Sequence, residues 1–336
     1  MKRKKVLIVF LSLIVIVFIA FFLWKNSNKN EKIHKQTRFL MDTYCTIQAV
    51  GPVKATNRAI SKALDRIEEI DDKFNVTKPV SPIFDFNKKN IPITDTEIIS
   101  LVQIALDVSR ESDGAFDITI FPLIKLWGFY SDSTAVPEDE KIAECLEKMG
   151  YDKLVIENNT LTKTDSRVEI ELGGIAKGHA IVEAVKSLKE SGIESALIDA
   201  GGDIYALGKL WGDYWKIGVQ HPRSSGVIGV IEGEDNAIVT SGDYERFFEE
   251  DGVRYHHILD PETGYPSKGL ASVTVISTNT ILADAWSTTL FILGLDKGLD
   301  LVEKMQDLET MMITLEGEVF CSSGLKNKLE TINKKE

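Results

Sequence analysis

The sequence predicts an α+β fold, one interlocked unit standing behind an N-terminal transmembrane helix. Three observations predict it. Residues 6–24 form an apolar run in which Ser12 is the only conventional polar member. Amphipathic helical segments then alternate with short apolar strands as far as residue 200. From Trp215 onward apolar residues recur with period two, interrupted by one helix, so the later part of the chain is rich in strands.

As a helix rising about 1.5 Å per residue, residues 6–24 span about 28 Å, close to the thickness of a bilayer core. Lys2, Arg3, Lys4 and Lys5 precede the run and keep the N-terminus cytoplasmic, which places the rest of the chain outside. The run is longer than the apolar core of a signal peptide, and KNSNKNEK after it offers no small-residue cleavage site. Residues 1–24 are therefore expected to be a basic cap and an uncleaved anchor in the cell membrane. Residues 25–37 read as a polar stalk, residues 38–330 as the catalytic body and residues 331–336 as a polar tail.

Within the body, FLMDTYCTIQAV reads as an edge-like strand. NRAISKALDRIEEIDDKF puts Ile60, Ala63, Leu64 and Ile67 at helical spacing, and TEIISLVQIALDVSRES is a second amphipathic helix stopped at Asp113-Gly114. VEIEL, a glycine-rich turn, the helix AKGHAIVEAVKSLKESG closed by Gly192, and SALIDA compose a strand-turn-helix-strand unit. The later strands are WKIGVQ, GVIGVIEG, RYHHILD, ASVTVIS, MMITLEG and EVFCSS, with the helix LADAWSTTLFILG among them. No internal repeat and no proline-rich linker divides residues 38–330.

Charge narrows the function. The net charge is -12, and residues 1–37 carry eight Lys or Arg against Glu31, a balance of +7, which leaves -19 for the remainder. So acidic a body excludes a nucleic-acid partner, because such proteins need clustered cations to displace counterions from phosphates. An anionic ligand would need a bound cation or backbone amides to offset the field. Cys45, Cys145 and Cys321 are odd in number and widely spaced, so they read as small buried apolar residues rather than a disulfide framework or a zinc site.

Four segments have the residue types for chemistry. ELGGIAKG (residues 171–178) joins a strand to a helix start; its glycines suit either a phosphate cradle at the unpaired helix amides or close packing of backbone. Asp284 and Thr288 lie four apart on one helix and share a face, so they offer a carboxylate and a hydroxyl to a hard cation such as Mg2+. Alternatively Asp284 favours the positive helix end and Thr288 bonds back to a carbonyl. His256 and His257 precede the Asp260-Pro-x-x-Gly264 turn, either as a structural pair or as an acid or base. Finally, DGAFDIT leading into FPLIKLWGF could stack a ring on a flat heterocycle, although Phe116, Trp127 and Phe129 also suit a core.

Taken together and in this order, MDT (residues 41–43), SDGAFDIT, PLIKLWGF, ELGGIAKGHA, DAGGDIYALG, GVQHPR, TSGDYERFF, YHHILDPETGYP and LADAWSTTLFILG closely resemble the ApbE family, exported FAD:protein FMN transferases, over about residues 39–325. The resemblance implies an ApbE-like, T-fold-like catalytic unit that uses Mg2+, takes FAD as substrate, and joins FMN by a phosphoester bond to a Thr or Ser of an exported acceptor, releasing AMP. It implies metal ligation by the Gly174 carbonyl, Asp284 and Thr288. Flavin and adenine contacts fall on Met41, Thr77, Ala115, Phe116, Asp117, Glu171, Lys177 and Ile258. Many relatives carry Tyr where this chain has Thr77, Asp where it has Glu171, and SELSRLN where it has SPIFDFN. The proton acceptor falls on His257 or on a carboxylate such as Asp243. The implied acceptor pattern, Asp-Gly-x-Ser/Thr-Gly-Ala-Thr, is not found in this chain. Two alternatives share the site: an FAD pyrophosphatase yielding FMN and AMP, and a membrane-tethered flavin-binding protein without turnover.

Overall fold

The computed structural model describes residues 31–131, 133–326 and 330–331. The anchor expected over residues 6–24 and residues 332–336 of the tail lie outside them. Among the described residues no helix is long and apolar enough to cross a membrane.

The chain opens with strands β1 (Lys32–Leu40) and β2 (Thr43–Gly51), then helices α1 (Val53–Phe74), α2 (Pro82–Lys89), α3 (Thr96–Glu111), α4 (Phe121–Leu126) and α5 (Asp139–Leu146). The hairpin β3 (Leu154–Glu157) and β4 (Thr160–Lys163) precedes helix α6 (Gly173–Glu190). Strands β5 (Ala196–Ala200), β6 (Asp203–Leu207), β7 (Trp215–Gln220), β8 (Val227–Gly233), β9 (Asn236–Gly242), β10 (Phe247–Glu250), β11 (Val253–His256) and β12 (Leu270–Ser277) follow. Helices α7 (Thr280–Leu293) and α8 (Leu295–Val302) lead to β13 (Leu308–Thr314), β14 (Val319–Cys321) and β15 (Glu330–Thr331).

One antiparallel sheet of order β1-β2-β5-β6-β9-β12-β13-β14 joins the first and last parts of the chain, which accounts for the missing linker. Helices α1, α6 and α7 cover one face: α1 packs on β1 and β2, α6 on β5 and β6, and α7 on β9 and β12. The spacing of Ile60, Ala63, Leu64 and Ile67 foretold α1, and all four are fully buried. A three-stranded sheet, β7-β8-β15, covers part of the other face, where Trp215, Ile217 and Ile231 share a core with Ala206, Ile238 and Met311 of the main sheet. Covered on both sides, β12 is buried at nearly every position, and its run of β-branched residues suits that place.

Three expectations need correction. FLMDTYCTIQAV is not one strand: Met41 and Asp42 take positive φ (53° and 58°) and form a two-residue turn between β1 and β2. The fold starts at Lys32 rather than Arg38, because half of the polar stalk is β1, the outermost strand, whose alternating exposed residues are as polar as a linker's. VEIEL is not a strand either. Its backbone is pinned by the buried Asn87 side chain, whose amide donates to the Ile170 carbonyl and whose oxygen accepts the Ile170 N–H, both at 2.8 Å, while the Glu171 N–H donates to the Ile118 carbonyl at 2.7 Å.

Candidate active site

The turn between β1 and β2, the start of α6, the middle of α7 and the end of β9 surround a cavity of about 550 Å3. That is within the range of small-molecule sites. Of the residues named from the sequence, Met41, Ala115, Phe116, Asp117, Glu171, Gly174, Lys177, His257, Ile258, Asp284 and Thr288 line it, and Thr77 and Asp243 do not.

The oxygen donors meet because α6 and α7 cross closely. At Gly178 a Cβ would come within 2.5 Å of the Thr280 carbonyl oxygen and 2.9 Å of Asp284 Cβ, so only glycine fits. The crossing brings Asp284 Oδ2 within 2.7 Å of the Gly178 N–H, the amide whose ordinary helical acceptor is the Gly174 carbonyl. A Cβ on Gly174 would lie 3.8 Å from Thr288 Oγ1 and 3.1 Å from the Phe116 ring. Gly174, Asp284 and Thr288 thus converge from two helices on one wall. The alternatives for Asp284 and Thr288 do not describe what is there. Asn279 caps α7 by accepting the Ile281 and Leu282 N–H groups, Asp284 reaches across to α6, and the hydroxyl that bonds back to a carbonyl is that of Thr289, to Ala285 at 2.7 Å.

The donor set suits a hard divalent cation: one carboxylate, one hydroxyl and one carbonyl, all oxygen. Among the described residues no group of three His, Cys, Asp or Glu side chains is placed to hold a metal, so a cation here must draw on backbone and hydroxyl oxygen as well. Asp284 is only 2% exposed. Burial pushes its carboxyl above the usual range, the Asp203 charge adds to this, and Lys177 opposes it. A cation would relieve the same cost. Lys177 forms an ion pair with the fully buried Asp203, and this partner outweighs burial, so the ammonium keeps its charge.

The two histidines divide the alternatives between them. His256 is structural, with Nε2 at 2.9 Å from the Ser267 carbonyl and its ring edge-on to Phe291. His257 faces the cavity, with Nδ1 at 3.3 Å from the Arg246 carbonyl. That contact favours the Nδ1–H tautomer and leaves a lone pair on Nε2. Burial, reinforced by the positive charges of Arg246 and His256, pulls its pKa down to about 3. The ring is therefore uncharged at neutral pH. Asp243 is not placed for that work: its carboxylate is buried and held by Arg223 through two hydrogen bonds of 2.7 and 2.5 Å.

Thr77 is exposed and bonded to Asn75 Oδ1 through both its N–H and its hydroxyl, so Asn75 and Val76 line the cavity in its place. Phe116 and Phe129 form part of the wall, whereas Trp127 is wholly buried behind it, in an apolar cluster against which Phe129 also packs. Both oxygens of Asp117 are occupied: Oδ1 accepts from the N–H and hydroxyl of Thr119 at 2.7 Å each, and Oδ2 from the Tyr151 N–H at 3.1 Å. Its role at the wall is thus to fix the loop that carries Ala115 and Phe116. Sequence reasoning missed Tyr130, whose hydroxyl donates to Glu171 Oε1 at 3.0 Å, and Arg246, which lines the cavity beside His257. Tyr130 has a signal, following PLIKLWGF directly; Arg246 stands inside TSGDYERFF, three residues beyond Asp243.

This geometry can be set beside known proteins. The chain matches the ApbE family over residues 41–312. It is 34% identical to the FAD:protein FMN transferase of Klebsiella pneumoniae (strain 342) over 273 residues, 78% of this chain and 84% of that protein. It is 32% identical to the protein of the same name from Vibrio cholerae over 300 residues, 86% of this chain and 90% of that one. Among solved structures it is similar to the ApbE protein of Thermotoga maritima, with a TM-score of 0.82 at 34% identity, covering 88% of this chain and 99% of that one. The flavinyl transferase ApbE of Pseudomonas stutzeri gives 0.78 at 30% identity, covering 89% and 97%. With sequence and fold agreeing over nearly the whole described body, the chain belongs to the ApbE family.

Proposed function

We propose that this chain is a Mg2+-dependent FAD:protein FMN transferase, acting on a Thr or Ser of an exported acceptor and releasing AMP. One observation carries the reading beyond family membership. A single cavity joins a convergent set of three oxygen donors to a neutral imidazole, the parts needed to neutralise a pyrophosphate and to accept a hydroxyl proton.

A divalent cation held by the Gly174 carbonyl, Asp284 and Thr288 would supply charge neutralisation at the pyrophosphate. The protein's own groups supply the rest. Lys177, kept charged by Asp203, places an ammonium in the same wall. The start of α6 lines the cavity at Gly173 and Gly174, where the helix dipole favours anions, and its first amide, the Gly173 N–H, is held by Glu171. His257 Nε2 accepts the proton of the acceptor hydroxyl. The hydroxyl oxygen forms a bond to the FMN phosphorus, the bond from that phosphorus to the bridging oxygen breaks, and the electron pair leaves with AMP. Glu171 is held by the Tyr130 hydroxyl and the Gly173 N–H, at 3.0 and 2.7 Å, which fixes the wall beside Phe116. Residues 6–24 tether this site to the outer side of the membrane, as the basic cluster before them favours.

The test is to mix the full chain in detergent with FAD, Mg2+ and a carrier protein bearing Asp-Gly-x-Ser-Gly-Ala-Thr. A fluorescent carrier band that survives denaturing electrophoresis, and that chelation or Asp284→Ala removes, supports the reading. Free FMN with an unlabelled carrier identifies a pyrophosphatase instead, and bound FAD that never turns over identifies a binding protein.

A further inference from the structure

The cavity has a part that the dinucleotide does not explain. Phe39 and Tyr44 line it, yet they are 63% and 68% exposed, so they stand at its mouth. They are cross-strand partners beside the β1–β2 turn, with ring centroids 5.4 Å apart and planes at 78°. Along β2 the fully buried Cys45, Ile47 and Ala49 face α1, so Tyr44 and its partner Phe39 project from the opposite face. The second sheet leaves that region open: its apolar partners in the main sheet come from β5, β6, β9, β12, β13 and β14, and none from β1 or β2.

The pair is also held rigidly. Met41 and Asp42 keep the turn in the left-handed backbone that a two-residue hairpin turn requires. Thr43, just beyond the turn, packs so closely on Gly201 that no Cβ fits there. Two large aromatic rings on a fixed hairpin, open to solvent at the mouth of a catalytic cavity, have the character of an interface anchor.

We propose that Phe39 and Tyr44 form the docking ledge for the acceptor protein, holding the segment that presents its hydroxyl to the cavity. The inference rests on the transfer reading above, which requires a second macromolecule to reach the same cavity. Less exposed rings, the buried Phe116 and the half-buried Phe129 and Tyr130, already line the interior for a flavin or adenine. The ledge lies outside that enclosure, where a protein segment can reach it and a recessed dinucleotide has no need of it.

The test uses the full chain in detergent, the same carrier protein, and the double variant Phe39→Ser/Tyr44→Ser, with Tyr44→Ser alone as a milder second. The double variant should raise the KM for the carrier about tenfold or more, as loss of an aromatic hot spot does, with kcat and the Kd for FAD within about twofold of the parent. Tyr44→Ser should raise KM about threefold, and Phe39→Tyr/Tyr44→Phe should restore it. A tenfold weaker Kd for FAD would assign the rings to the dinucleotide and overturn the proposal, as would an unchanged KM. A parent chain that labels no carrier would instead refute the transfer reading, and the ledge with it.

Discussion

Replacing Gly178 by alanine tests whether the site depends on the crossing of α6 and α7. The added Cβ would meet the Thr280 carbonyl oxygen at 2.5 Å, Asp284 Cβ at 2.9 Å and Ile281 Cα at 3.0 Å, and two of these three atoms belong to backbone that cannot swing aside. Restoring ordinary contact at about 3.4 Å opens the crossing by about 0.9 Å. Overpacking of this kind costs about 1–3 kcal/mol, and the better helix propensity of alanine offsets about 1 kcal/mol, so a net loss of about 1 kcal/mol is expected. The loss of function should be far larger. Asp284 rides on α7 and Gly174 on α6, so the same displacement separates the oxygen donors and stretches the 2.7 Å bond from the Gly178 N–H to Asp284. Misplacement by about 1 Å can cost about a hundredfold in rate. AMP release at saturating FAD and Mg2+, measured beside urea unfolding, separates the two effects. Gly178→Ala with parental turnover would refute the argument that this crossing assembles the site.

Three further outcomes are expected. Asn87→Ala strips the Ile170 N–H and carbonyl of their partners in a buried place; at about 1–3 kcal/mol per unsatisfied group the chain should lose about 2–6 kcal/mol in urea unfolding, and parental stability would contradict the pinning of this segment. Thr288→Val keeps the shape and removes the hydroxyl, so the Mg2+ concentration for half-maximal labelling should rise about tenfold or more, whereas Thr288→Ser should stay near the parent. An unchanged Mg2+ requirement in the valine variant would exclude Thr288 as a ligand. The third concerns pH. His257 has its pKa lowered from 6.5 to about 3 in the folded state, so the unfolded chain binds the extra proton between those values and stability is lost as pH falls through that window. Because His257→Gln removes this contribution, the variant should lose less stability than the parent between pH 7 and pH 4.5, and equal losses would mean that folding does not lower the proton affinity of His257.

Periodicity exposed the helices and the inner strands well, because their apolar residues are there to be buried: α1 at Ile60, Ala63, Leu64 and Ile67, and β5 within SALIDA. It failed where backbone pairing is satisfied by something other than a strand, as at Ile170, whose partner is the distant side chain of Asn87. It failed again where a turn is built from residues that do not favour it. Met41 and Asp42 adopt the left-handed conformation without a glycine, so no local signal separated β1 from β2. The polar β1 looked like a linker because an edge strand buries little. At the site, the spacing of Asp284 and Thr288 revealed a shared helix face, but not that α6 would meet it; that depends on the absence of a side chain at Gly178. Asp243 misled because its charge suited a base, and only the fold shows that charge held by Arg223. Tyr130 and Arg246 belong to the cavity through loops whose course no periodicity records.

The most direct measurement is an anomalous difference map from a crystal soaked with FAD and Mn2+, standing in for Mg2+. We expect one peak about 2.1–2.2 Å from the Gly174 carbonyl oxygen, an Asp284 oxygen and Thr288 Oγ1, in contact with oxygens of the pyrophosphate. A peak elsewhere in the cavity, with Asp284 still on the Gly178 N–H and remote from both phosphorus atoms, would contradict the account.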